Sequence, residues 1–151
     1  MKLSFVKSLG LLAVAAAMLL GACNSNNNNN NPSNFPTCTP PGSFVAVYPI
    51  NGATNVPDSV QNVYVASSVT LGNQFMNVIG PPGGGAVAGN LFSQVPLSQI
   101  PTPRAKPNFA NPIYYVTAVG TLSSASTWTM FLNNTNSVNC VPFQYLSFTT
   151  Q

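Results

Sequence analysis

The sequence predicts an antiparallel β-sandwich of about seven short strands behind an N-terminal leader and an asparagine-rich spacer. Three observations carry that expectation. The 151 residues include 14 prolines and 11 glycines, which cut the chain beyond residue 42 into short runs bounded by turn residues. Those runs alternate apolar and polar side chains or are rich in β-branched and aromatic residues. After the leader, no stretch repeats apolar residues at helical spacing over a useful length.

The leader comes first. Lys2 and Lys7 precede an uninterrupted apolar run from Leu9 to Leu20, closed by the small residues Gly21 and Ala22. A membrane-spanning helix needs roughly 20 apolar residues, whereas the apolar core of a secretory signal needs about 7–15, so length favours a signal over residues 1–22. The stretch Leu20-Gly21-Ala22-Cys23 then resembles the lipobox of bacterial lipoproteins. That resemblance implies cleavage before Cys23, a diacylglycerol on its thiol, and a protein held to a membrane of the bacterial cell envelope. Asn24 leaves the choice between inner and outer membrane open. An ordinary cleaved signal, with Cys23 entering a disulfide, is disfavoured because Cys23 stands at the junction where a lipobox requires it.

Residues 23–42 read as a tether. Asn26 to Asn31 are unbroken asparagine, with Pro32, Ser33 and Asn34 behind them. Such a run has no apolar groups to bury and cannot offset its ordering entropy. Its coil reach to Cys38 is on the order of 20 Å.

Residues 43–151 form the domain. Phe44–Tyr48 is the first predicted strand, ended by Pro49; Asn51 to Asp58 reads as a turn and a corner. Strands follow at Gln61–Ala66, where Val63 and Val65 alternate with Tyr64, and at Phe75–Ile79. Gly80 to Gly85, with its two prolines, reads as a loop, and the glycine cluster as far as Gly89 as a turn. Pro96 to Pro112 holds five prolines together with Arg104 and Lys106, and is expected to be a long, extended, exposed connection. Ile113–Ala118, Thr127–Leu132 and Phe143–Thr149 are the remaining strands, with Trp128, Met130 and Leu132 sharing one face.

Charge narrows the function classes. Only 3% of residues are charged and the formal net charge is +3, with no histidine and a single carboxylate side chain, Asp58. Two of the four cations lie in the leader, so no basic surface for nucleic acid is implied. Proton-transfer catalysis lacks its usual groups, and a serine or threonine hydroxyl with nothing to activate it is inert. The expectation is a protein that is not an enzyme. Calcium needs several carboxylate or carbonyl oxygens that Asp58 alone does not supply, so neither metal nor cofactor is expected.

The run Tyr48-Pro49 followed by Gly52-Ala53-Thr54-Asn55-Val56-Pro57 resembles the opening of the bacterial Ig-like domain of the surface-layer-protein (SbsA) type. Leu122 ahead of Thr127-Trp128-Thr129, and the terminal Ser147-Phe148-Thr149-Thr150, are similar to that family's closing strands. The resemblance spans residues 43–151 and implies an Ig-like sandwich. Ala66-Ser67-Ser68 departs from the family's usual phenylalanine, serine and proline, and the proline-rich insert has no counterpart in it. A related Ig-like group binds copper through histidines and methionines; here histidine is absent and Met76 and Met130 are expected in the core.

With Cys23 lipidated, Cys38 and Cys140 remain as a pair in an oxidising compartment. Cys38 leads into the first predicted strand and Cys140 into the last. In Ig-like sandwiches those strands can run side by side in parallel, which brings both cysteines to one pole and permits a disulfide. Tyr114 and Tyr115 are adjacent on a strand, so one points in and the other out. The outward ring, near Asn111 and the Arg104/Lys106 loop, is the candidate contact for sugar or peptide, set against an ordinary half-exposed aromatic. The functional expectation is an envelope lipoprotein whose Ig-like domain is a structural or protein-interaction module. The alternative is a glycan- or peptide-binding lipoprotein using exposed aromatic and amide side chains.

Overall fold

Runs of β-branched and aromatic residues form the strands, and apolar residues at alternate positions bring two sheets together. The computed structural model describes residues 36–80, 87–136 and 140–151, all within the unit Asn31–Gln151. The leader, Cys23, the asparagine run and the glycine-proline stretch 81–86 lie outside the described residues. The strands are β1 (Phe44–Tyr48), β2 (Asn62–Ser67), β3 (Phe75–Gly80), β4 (Val87–Leu91), β5 (Ser93–Gln94), β6 (Ile113–Ala118), β7 (Thr127–Asn134) and β8 (Phe143–Thr149). Two four-stranded sheets result, ordered β1-β2-β6-β5 and β4-β3-β7-β8, with every neighbouring pair antiparallel.

The described residues thus hold eight strands where about seven were expected. Six of them fall on the runs placed individually from the sequence, and β4 and β5 are additional. Gly89 lies within β4 and not in a turn, and a Cβ there would stand 3.1 Å from the Met76 methyl and 3.2 Å from the Asn77 carbonyl oxygen. The glycine lets β4 lie against β3 beneath the Met76 side chain.

Between the sheets, Val63 and Val65 of β2 and Tyr115 of β6 meet Met130 and Leu132 of β7 and Leu146 and Phe148 of β8. Trp128, Met130 and Leu132 are all buried, as their shared face requires. A bulge makes Tyr145 an extra residue opposite β7, so Tyr145 and Leu146 are both buried although they are consecutive. The Tyr145 hydroxyl donates to the Asn77 Oδ1 at 2.6 Å, and the Phe44 ring meets the Tyr145 ring edge-on at 5.1 Å. Among the described residues, no buried side-chain polar atom lacks a hydrogen-bond partner.

Tyr145→Phe will leave Asn77, which is fully buried, without this donor. The expected cost is about 1–3 kcal/mol. Burial pushes the Tyr145 phenol well above its ordinary value, so the fold favours the neutral form. The unfolded phenol ionises near about pH 10. The neutral-phenol contribution is therefore complete below that pH and is lost above it, at a limiting slope of about 1.4 kcal/mol per pH unit. Urea unfolding at a series of pH values should show this alkaline decline steeper in the native protein than in Tyr145→Phe.

The corner at 51–57 does more than turn the chain. Gly52, at φ 79, and the Ala53 N–H bonded to the Ile50 carbonyl close a turn, after which residues 52–56 run parallel to the outer edge of β8. The Gly52 N–H donates to Ser147 O at 2.7 Å, Thr149 N–H to Ala53 O at 2.9 Å, and Val56 N–H to Thr149 O at 3.0 Å. The Asn51 side chain accepts from the Ser147 N–H at 2.9 Å. β8 therefore presents no open ladder there to another chain.

The sandwich also begins earlier than residue 43. Thr37 and Val141 form a parallel bridge, with the Cys38 N–H on Val141 O at 2.7 Å and the Val141 N–H on Pro36 O at 3.0 Å. Cys38 and Cys140 are disulfide-bonded across this bridge, with Cα atoms 4.9 Å apart and a sequence separation of 102.

The proline-rich connection is exposed at most of its positions, as its composition suggests, yet it is not free of the sheet. It straps the outer face of the β1-β2-β6-β5 sheet, where Ile100, 3% exposed, packs with Val47 and Ala66 and is flanked by Val45, Tyr48, Tyr64, Phe109 and Tyr114. The physical reason lies in β1 and β2, which carry apolar side chains on both faces. An uncovered outer face would be a contiguous apolar patch of the kind monomers avoid. A bulge at Val47 turns its carbonyl out of the ladder, and the Ala105 N–H takes it at 3.0 Å. Ile100→Ala should therefore cost about 2–4 kcal/mol by core truncation, measured as a shift in the urea midpoint. A loss below about 0.5 kcal/mol, typical of a surface position, would refute the strap as a second core.

Candidate functional site

The strap builds a cleft against β6. Leu97 stands in a 3-10 turn, Leu97–Gln99, whose terminal carbonyls are held by the Arg104 guanidinium: Nη1 donates to Ile100 O at 2.8 Å and to Leu97 O at 3.4 Å. With Ala105 pinned to Val47, and Pro103 and Pro107 restricting φ on either side, the backbone from 103 to 107 is fixed at both margins. Leu97, Arg104, Ala105, Lys106, Pro107 and Tyr114 line a cavity of about 330 Å³, the lower end of the range for small-molecule sites.

The adjacent tyrosines divide as strand geometry demands. Tyr115 is 3% exposed in the inter-sheet core, and its hydroxyl accepts the Leu71 N–H at 3.0 Å; it is thereby withdrawn from ligand contact. Tyr114 is half-buried and faces the strap. Asn111 is exposed at φ 50 and is not part of the lining. Lys106 is exposed at the rim. The one carboxylate side chain is elsewhere, where Asp58 accepts the Ser124 hydroxyl at 2.6 Å.

A second group of aromatic and proline residues lies at the end of β1. Tyr48 and Tyr64 meet edge-on with ring centroids 6.2 Å apart, beside Pro49, Ile50, Pro57 and Pro103, which line a shallower cavity of about 180 Å³. Sequence reading passed over this group because its members come from β1, β2, the corner and the strap. No pattern along the chain joins them. Among the described residues, no three histidine, cysteine, aspartate or glutamate side chains gather into a metal-ligand set. Met130 is fully buried in the core as expected, whereas Met76 is only half-buried and lies outside the core, its methyl over Gly89 of β4.

Comparison with protein-family models, with curated proteins and with solved structures finds no match to this chain.

Proposed function

We propose that the chain is a lipid-anchored protein of the bacterial cell envelope, carrying one Ig-like sandwich that serves as a non-catalytic structural or protein-interaction module. The observation that carries the reading is the Cys38–Cys140 disulfide, placed where the spacer joins the fold. Such bonds persist in oxidising compartments outside the cytosol, in keeping with the export signal and the lipobox-like Leu20 to Cys23. The strand order supports the Ig-like assignment: β1-β2-β6-β5 facing β4-β3-β7-β8 corresponds to strands A-B-E-D facing C-F-G with one added strand beside C. The disulfide departs from the B–F bridge of antibody domains.

Lipidation is tested directly. Mass spectrometry of the mature protein should find Cys23 as an acylated N-terminus, and Cys23→Ser should release the protein from the membrane fraction with its disulfide intact. A mature N-terminus elsewhere, or an unmodified Cys23, would sink the anchor.

A second reading is favoured by one specific observation. Of the possible ligand contact, Tyr114 or Tyr115 with Asn111 and the Arg104/Lys106 loop, Tyr114, Arg104 and Lys106 line one cleft while Tyr115 and Asn111 stay out of it. The alternative, a lipoprotein that captures glycan or peptide, gains support at this face, and the single-ring size of the cleft favours glycan.

A further inference from the structure

We infer that the cleft between Tyr114 and the strap binds the carboxylate-bearing ring of an acidic saccharide, of the hexuronic acid class. The inference rests on the glycan-binding reading and specifies its ligand. Its first ground is the placement of charge. Among the described residues the fully charged side chains are Asp58, Arg104 and Lys106, and both cations line the same small cavity while Asp58 is bonded to Ser124 away from it. Two like charges brought together without a carboxylate between them leave a positive field that an anion would satisfy.

The second ground is shape and chemistry. The cavity of about 330 Å³ suits one sugar ring more closely than a polymer laid along a groove. The Tyr114 ring offers an aromatic surface to the apolar face of a pyranose, and Leu97 and Pro107 add aliphatic walls. The Arg104 Nη1 already donates to the Ile100 and Leu97 carbonyls, so the guanidinium is held in place and keeps its remaining N–H donors. Lys106, exposed beside it, supplies a mobile second cation. This pairing matches one carboxylate. A phosphate monoester, with nearly two charges and three acceptor oxygens, would favour a cradle of backbone N–H groups, whereas the lining here offers two cationic side chains.

The test is titration calorimetry of the full mature chain in detergent with trigalacturonate, its methyl ester, inorganic phosphate and glycerol 3-phosphate, the soluble part of a phospholipid headgroup, as probes. Trigalacturonate should bind, weakening as salt is raised, and the uncharged ester should bind at least about tenfold more weakly, the loss of a charge-assisted contact. Lys106→Gln, an exposed change that leaves the fold alone, should weaken the acid by about tenfold and the ester hardly at all. Equal binding of acid and ester overturns the acidic assignment and leaves a neutral-glycan reading standing, whereas binding of neither sugar overturns both. Binding of glycerol 3-phosphate or of inorganic phosphate in place of the uronate assigns the cleft to phosphate chemistry and overturns the proposal.

Discussion

Cys140→Ser will destabilise the sandwich by up to about 4–5 kcal/mol, the largest single effect expected in this chain. The estimate follows from loop length. The bond joins residues 102 apart, and the entropy withheld from the unfolded chain grows with the logarithm of the loop. It is an upper figure, since residual structure in the unfolded chain reduces it. What the bond holds in the folded state is small: the bridge between Thr37 and Val141 and two backbone hydrogen bonds. The serine variant should therefore keep all eight strands and lose stability chiefly through its freer unfolded state. Urea unfolding with and without reductant measures this; native protein under reductant should fall to the level of the variant. A loss under about 1 kcal/mol would leave the bond in place and remove its importance.

Phe148→Ala should cost about 3–5 kcal/mol. Phe148 is 2% exposed in β8, opposite Trp128 of β7. The cavity would open where the strand has little freedom to collapse, because β7 holds one edge of β8 and residues 52–56 the other. The urea midpoint should fall with the slope unchanged. Gln144→Ala, exposed on the same strand, should shift stability by less than about 0.5 kcal/mol. If the two variants lost the same amount, the inter-sheet core would not be centred where the buried side chains place it.

Stability should otherwise change little between about pH 5 and 9. Histidine is absent and carboxylate side chains number one, so little in the fold titrates there.

β1, β6 and β8 have the bounds predicted from sequence because β-branched and aromatic residues fill them and a proline marks one end of each, Pro49 after β1, Pro112 before β6 and Pro142 before β8. β4 and β5 escaped because Gly89, Asn90, Ser93 and Gln94 have low strand propensity. They become strands through partners, β3 for one and β6 for the other. The attachment of the strap to the sheet is hidden in the sequence for a related reason. Proline reports the loss of a ladder donor, but not whether the segment then meets water or a sheet. The clue lay in β1 and β2: Val45 and Val47, like Tyr64 and Ala66, fall on the face opposite the sandwich core, so something had to cover them. The disulfide was legible from cysteine parity and position. The cleft was legible only in part, because Arg104, Lys106 and Tyr114 are close in sequence, whereas Leu97 arrives through the 3-10 turn.

The bridge at the mouth of the sandwich also determines how the protein carries mechanical load. Residues 39–139 lie inside the covalent ring that Cys38 and Cys140 close. When the chain before Cys38 and the end of β8 are drawn apart, tension crosses the sulfur atoms into β8 and bypasses that ring. β8 is then loaded along its length, against hydrogen bonds to β7 on one side and to residues 52–56 on the other. These bonds lie across the pull and resist together as a sheared set. A pull on the chain before Cys38 thus reaches the β8 pairings without first unravelling β1, the corner or the strap.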